Sequence, residues 1–177
     1  MSFRELGVGR IFLIRAEHDS DLVKFVAELA KKNGIVTAAF TAIGALKYAK
    51  LGFYDQKKHE YSENLLSTSQ EIASCIGNIS IKDDETFVHA HVVLADQNGN
   101  TNAGHLLEGK VFAAEIHLTE LVGAKLVRKN DPVTGLSLWD IYLRREPSQP
   151  ASKPKEHHNF SEPSQAEATF PLYIRGL

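Results

Sequence analysis

Apolar positions recur at helical spacing in one stretch near the start of the chain. Leu22, Phe25, Val26, Leu29 and Ala30 fall on a single helical face. Asp19 or Ser20 can cap that helix, and Lys31-Lys32-Asn33-Gly34 can close it with cations near the last carbonyls. Most of the remaining chain reads as strands. The pattern predicts them over Arg10–Ile14, Thr37–Lys47, Lys50–Asp55, Glu60–Thr68, Glu71–Ile81, Thr86–Leu94, Gly104–Lys110, Phe112–Leu118 and Ser137–Leu143. Many of the connections are short, which favours antiparallel pairing and an α+β domain built on an antiparallel-rich sheet.

Within Thr86–Leu94 the two faces differ. Val88, Ala90, Val92 and Leu94 make an unbroken apolar face for the core, whereas Phe87, His89, His91 and Val93 make the other. A second face that is half apolar is seldom left open to water, so it should line a groove or a subunit interface. His89 and His91, two residues apart, point the same way. Asp96-Gln97-Asn98-Gly99-Asn100 reads as a tight hairpin loop with Gly99 in the left-handed position. Pairing Asp96 with Asn100 sets His105 opposite His91, and opposed residues share a face. Three imidazoles then converge, as in zinc sites that keep one position open for water or substrate. Nickel, copper or iron also suit such a donor set. The alternative is three ordinary hydrogen-bonded strand histidines, and a register slip of one residue would turn His105 away.

Composition narrows the classes. At 177 residues and 43% hydrophobic content, one domain with a proper core is expected. A formal net charge of −2 is a poor footprint for unaided DNA binding. The single cysteine, Cys75, excludes an internal disulfide framework, and its apolar surroundings favour a buried thiol over a nucleophile. No apolar run reaches a membrane span and no signal peptide is visible, so a cytoplasmic protein is expected. Five of the six prolines follow Arg145. That shift divides the chain into a domain, residues 1–145, and a Pro-rich tail, residues 146–177. The apolar end of the tail, Phe170–Ile174, is expected to dock on the body or a neighbouring subunit, unless it is merely trapped.

The string Gly77-Asn78-Ile79-Ser80, then Val88-His-Ala-His-Val-Val-Leu-Ala-Asp96, Gly99, Gly104-His-Leu-Leu-Glu-Gly109-Lys-Val and Glu115-Ile-His-Leu-Thr-Glu-Leu121, resembles the PPC domain. That family is named for its occurrence in plants and prokaryotes and is often labelled DNA-binding. The segment Phe40-Thr-Ala-Ile-Gly44 through Tyr54 is similar to the family's glycine-centred strand. The resemblance covers about residues 5–145. It implies an α+β fold with one long N-terminal helix, and a homotrimer. In plant relatives the domain accompanies AT-hooks that bind the minor groove, whereas stand-alone prokaryotic members keep the histidines. This chain has no AT-hook. The expected function is therefore a zinc-binding PPC-domain protein with a DNA-associated regulatory or small-ligand role. Two alternatives stand beside it: a hydrolase or lyase using water on a three-histidine metal, and direct DNA binding by an assembled trimer.

Other residues carry weaker signals. If Phe112–Leu118 lies beside the His105 strand, Glu115 can orient an imidazole or act as a general base, and His117 is a spare ligand. A rim or fold-supporting role for Glu115 is the plainer reading. Gly44, inside a β-rich run, suggests a bulge, close packing or a backbone approached by a ligand. Glu108 should face away from His105. His157-His158, Lys31-Lys32 and Lys57-Lys58 read as solvated surface.

Overall fold

The structure, a computed structural model, describes residues 3–141. The tail from 146 onward, with Phe170–Ile174 and His157-His158, lies outside the described residues, as does the expected boundary near 145.

The first element is a strand, β1 (Gly7–Arg15), and the helix α1 (Leu22–Lys32) follows it. Asp21 caps α1, its carboxylate accepting from the Lys24 backbone N–H at 2.8 Å. Leu22, Val26 and Ala30 are buried, and Lys31 and Lys32 occupy the last turn. The expectation of an α+β fold with one long N-terminal helix is overturned. The helix has 11 residues, and long antiparallel strands make up most of the fold. The reason is local: the apolar stripe ends at Ala30, and Asn33-Gly34 terminates the helix after three turns.

The strands that follow are β2 (Ala38–Asp55), β3 (Glu60–Leu66), β4 (Gln70–Lys82), β5 (Glu85–Ala95) and β6 (Thr101–Val122). They pair in the order β1-β6-β5-β4-β2-β3, and an added β6–β2 pairing closes β2, β4, β5 and β6 into a ring. Two predicted strand pairs are each one continuous strand. Thr37–Lys47 and Lys50–Asp55 merge in β2, and Gly104–Lys110 and Phe112–Leu118 merge in β6. Bulges explain the misreading. The β2–β6 register shifts between Ala45 and Leu46, Leu46 and Tyr48, and Lys50 and Leu51, so the in–out alternation resets without ending the strand.

The core lies inside this ring and under α1. Ile79, Leu94, Leu118, Val111 and Leu46 have no exposed surface. Val88, Ala90, Val92 and Leu94 all point into it, as their alternation requires. A short two-stranded sheet, β7 (Arg128–Asn130) with β8 (Ser137–Trp139), completes the described residues. Its turn is held by Asp131, which accepts from the Thr134 hydroxyl at 2.6 Å. The Ile81 N–H donates to the Leu126 carbonyl at 2.9 Å, which docks the start of this sheet along β4.

Candidate metal centre

The hairpin forms as its turn chemistry dictates. The Asp96 carboxylate accepts from the Asn98 and Asn100 backbone N–H groups at 2.8 and 2.9 Å, and Gly99 takes φ +80°. Asp96 also pairs with Asn100 through the backbone. This register sets Ala95 against Thr101 and His91 against His105. His89 sits two residues back on the same face of β5.

One ring nitrogen from each of His89, His91 and His105 lies within 4.8 Å of the other two. Zinc–nitrogen bonds of about 2.0–2.1 Å place tetrahedral ligand atoms roughly 3.4 Å apart. Side-chain rotations that draw the three donors closer together would let them hold one ion. His105 Nδ1 is buried and has no hydrogen-bond partner. A buried polar atom without a partner is costly, and a metal ion is one group that satisfies it. The donor set is imidazole only, which fits zinc and its neighbours in the first transition row.

Burial pushes the His89 imidazole down to about 4, with help from His105, Arg128 and His91. His105 is lowered mainly by burial, then by His91 and Arg128. Both rings are neutral near pH 7, the form that binds metal. Arg128 Nη2 stands 3.4 Å from His89 Nδ1. A guanidinium has donors only, so without metal this contact places the His89 proton on Nε2.

The imidazoles floor a cleft of about 810 Å³. Tyr54, Tyr61 and Leu107 line one side, Phe87, Lys82 and Arg128 another, and the 133–138 turn forms a wall. Tyr54 donates to the Thr134 carbonyl at 2.7 Å and so ties that turn to β2. The groove expected on the His89–His91 face is present.

Glu115 and His117 are not brought to this cluster. They line a separate hollow with Leu13, Arg15, Thr41 and Ile43. Because β6 is continuous, Glu115 lies ten residues beyond His105 on the same strand rather than on a neighbouring one. Gly44 marks a bulge against β4 and is approached by the Ala113 backbone, so close packing accounts for it. Glu108 accepts from the Tyr48 hydroxyl, away from the cleft. Lys31 pairs with Glu85 at 3.3 Å, and the Lys57 and Lys58 N–H groups bind Asp55. The sequence reading missed Arg128, Lys82, Tyr54 and Tyr61. They reach the cleft through non-local pairing, and no local pattern marks them.

The Plants and Prokaryotes Conserved (PCC) domain profile matches residues 3–122, and the chain belongs to that family, abbreviated PPC above. A metal-containing protein from Archaeoglobus fulgidus is 41% identical, with a TM-score of 0.76 over 78% of this chain and 99% of that one. A PPC protein from Pyrococcus horikoshii is 44% identical, with a TM-score of 0.76 over 79% and 97%. A candidate DNA-binding protein from Ralstonia eutropha is 25% identical, with a TM-score of 0.66 over 72% and 88%. The curated relatives matched are the bifunctional protein GlmU of two Synechococcus strains, 28% identical over 170 residues in one case. This chain spans about a quarter of that protein's length.

Proposed function

We propose that this chain is a zinc-binding PPC-domain protein whose cleft takes a small ligand or substrate beside a metal held by His89, His91 and His105. The observation that carries this reading is the convergence of three imidazole donors, one with a partnerless buried nitrogen, on the floor of an open cleft. The A. fulgidus relative is described as metal-containing, which supports it. When bound, such an ion supplies a Lewis acid able to polarise an oxygen of a ligand or water. The chain's own residues position that ligand: Arg128 and Lys82 by charge, Tyr54 and Tyr61 by contact. Glu115 is not carried into this reading, because its hollow is a different one.

The reading includes a homotrimer in the cytoplasm. Leu13, Ile43 and Ile76 are 84%, 58% and 65% exposed in the single chain, an apolar surface suited to a subunit contact. Among the described residues no helix is long and apolar enough to cross a membrane. Light scattering of the purified protein should give three times the chain mass. A second reading, DNA-linked regulation or direct binding by the trimer, is favoured by the description of the R. eutropha relative. Steep salt dependence of DNA affinity would support it, and absence of binding at low salt would remove it.

The metal reading is tested by elemental analysis of the purified protein and of His105→Ala. One equivalent of zinc per chain is expected, falling well below that in the variant. Unchanged metal content in His105→Ala overturns it.

A further inference from the structure

The cleft above the histidines is polarised in a way the metal reading does not require. Among the described residues its lining holds two cations, Arg128 and Lys82, and no carboxylate. The whole chain, by contrast, carries 22 acidic against 20 basic residues. A cleft walled by one sign of charge concentrates ligands of the other sign.

Arg128 is the centre of this polarity. It is only 7% exposed. Its Nε donates to Ser80 Oγ at 2.8 Å, Nη1 to the Ser137 carbonyl at 2.8 Å, and Nη2 to Asn78 Oδ1 at 2.9 Å. All three acceptors are neutral. They fix the guanidinium in place without neutralising it, and the rings of Phe87 and Trp139 flank it at 5.1 and 5.7 Å. Five N–H groups are available on a guanidinium, so these three bonds and the 3.4 Å contact from Nη2 to His89 Nδ1 leave one, on Nη1. An immobilised guanidinium of this kind offers an incoming carboxylate its charge and that remaining N–H. Lys82, its ammonium 5.5 Å from the Phe87 ring, adds a second positive charge to the same wall.

The lining of the cleft near His105 is different in kind. Tyr61 packs on Tyr54 with ring centroids 5.0 Å apart and approaches His105 at 5.8 Å, and Leu107 lies beside them. Its volume of about 810 Å³ falls in the range that encloses small organic molecules. Phosphate sites commonly recruit helix N-termini, and no residue of α1 lines this cleft.

We infer that the cleft binds a small organic carboxylate. Its anionic group is held between Arg128 and Lys82 beside the imidazoles, and its apolar or aromatic body lies against Tyr54, Tyr61 and Leu107. This deepens the proposed ligand-binding role of the same site, and its anion contacts come from the protein rather than from the metal.

Trp139 is the chain's single tryptophan and stacks on Arg128, so its fluorescence reports on this site. The full-length zinc-loaded protein is titrated with 3-phenylpropanoate and with the neutral 3-phenylpropanamide, followed by tryptophan emission and calorimetry. The acid is expected to saturate one site per chain and to bind at least about tenfold tighter than the amide. Lys82→Gln, which alters a partly exposed side chain, should weaken the acid several-fold and leave the amide unchanged. Arg128→Lys, which keeps the charge but loses the fixed guanidinium and its Nη1 N–H, should weaken the acid further. Acid and amide binding equally, or inorganic phosphate competing as well as the acid, overturns the inference. The same titration on chelator-stripped protein separates it from the metal reading. Retained preference for the acid upholds it even if no zinc is ever found. A preference that vanishes with zinc and ignores Lys82→Gln overturns it while leaving the metal site intact.

Discussion

Gly44→Ala is the sharpest perturbation of the frame that holds the site. Gly44 adopts φ +135° at the bulge in β2, a backbone region that residues with a side chain rarely enter. An added Cβ would stand 2.2 Å from the Ala113 carbonyl oxygen, 2.8 Å from Ala114 Cα and 3.0 Å from the Ala113 carbonyl carbon. All three are backbone atoms of β6, so no flexible side chain can swing away. The strands themselves must part. Backbone strain costs about 1–3 kcal/mol and overpacking about as much again. The sum, roughly 2–6 kcal/mol, is a large share of a typical stability of about 5–15 kcal/mol. Gly99→Ala is the control. Gly99 also has positive φ, +80°, but an added Cβ meets nothing within 4 Å, so only backbone strain of about 1–2 kcal/mol applies. Urea unfolding of the three proteins, compared through their midpoints at constant slope, reads the difference. If Gly44→Ala loses no more stability than Gly99→Ala, the β2–β6 contact at the bulge is not as close as described.

Two further predictions concern ionisable groups. Glu120 binds Arg10 through two side-chain contacts, at 2.7 and 2.9 Å, and these hold its carboxyl at about 2 against an ordinary 4.5. A depressed carboxylate stabilises the fold above its unfolded value and loses that contribution as pH falls through the folded one. The stability gap between the native protein and Glu120→Gln should therefore be constant above about pH 4.5 and shrink toward pH 2. Urea midpoints across that range measure it, and a gap that stays constant down to pH 2 contradicts the pairing. Cys75 is 1% exposed and burial raises its thiol to about 11, so it should resist a thiol-specific reagent until the protein unfolds. Labelling at the rate of a free thiol in the native state would refute that placement.

What was legible in the sequence was local. The turn Asp96–Asn100 declares its own geometry through an Asp, an Asn and a left-handed glycine, and a fixed loop length fixes the register that sets His91 against His105. The alternation of Val88, Ala90, Val92 and Leu94 likewise needs only its own strand. The helix was located from its stripe, but its cap is Asp21, beyond the two residues expected, and it is far shorter than the family resemblance implied. Bulges hid the continuity of β2 and β6, because a reset alternation resembles a strand end. That error placed Glu115 and His117 beside His105 when they lie far along the same strand. Arg128 was invisible for another reason. Its place depends on β7 and on three acceptors from β4 and β8, none near it in a recognisable pattern.

The central claim is that one metal ion is held by His89, His91 and His105. X-ray absorption at the zinc edge of the loaded protein tests it most directly. Three imidazole nitrogens at about 2.0–2.1 Å, with one further light ligand and no sulfur, are the predicted shell. A shell with fewer than three imidazoles, or one unchanged in His91→Ala, would contradict the account.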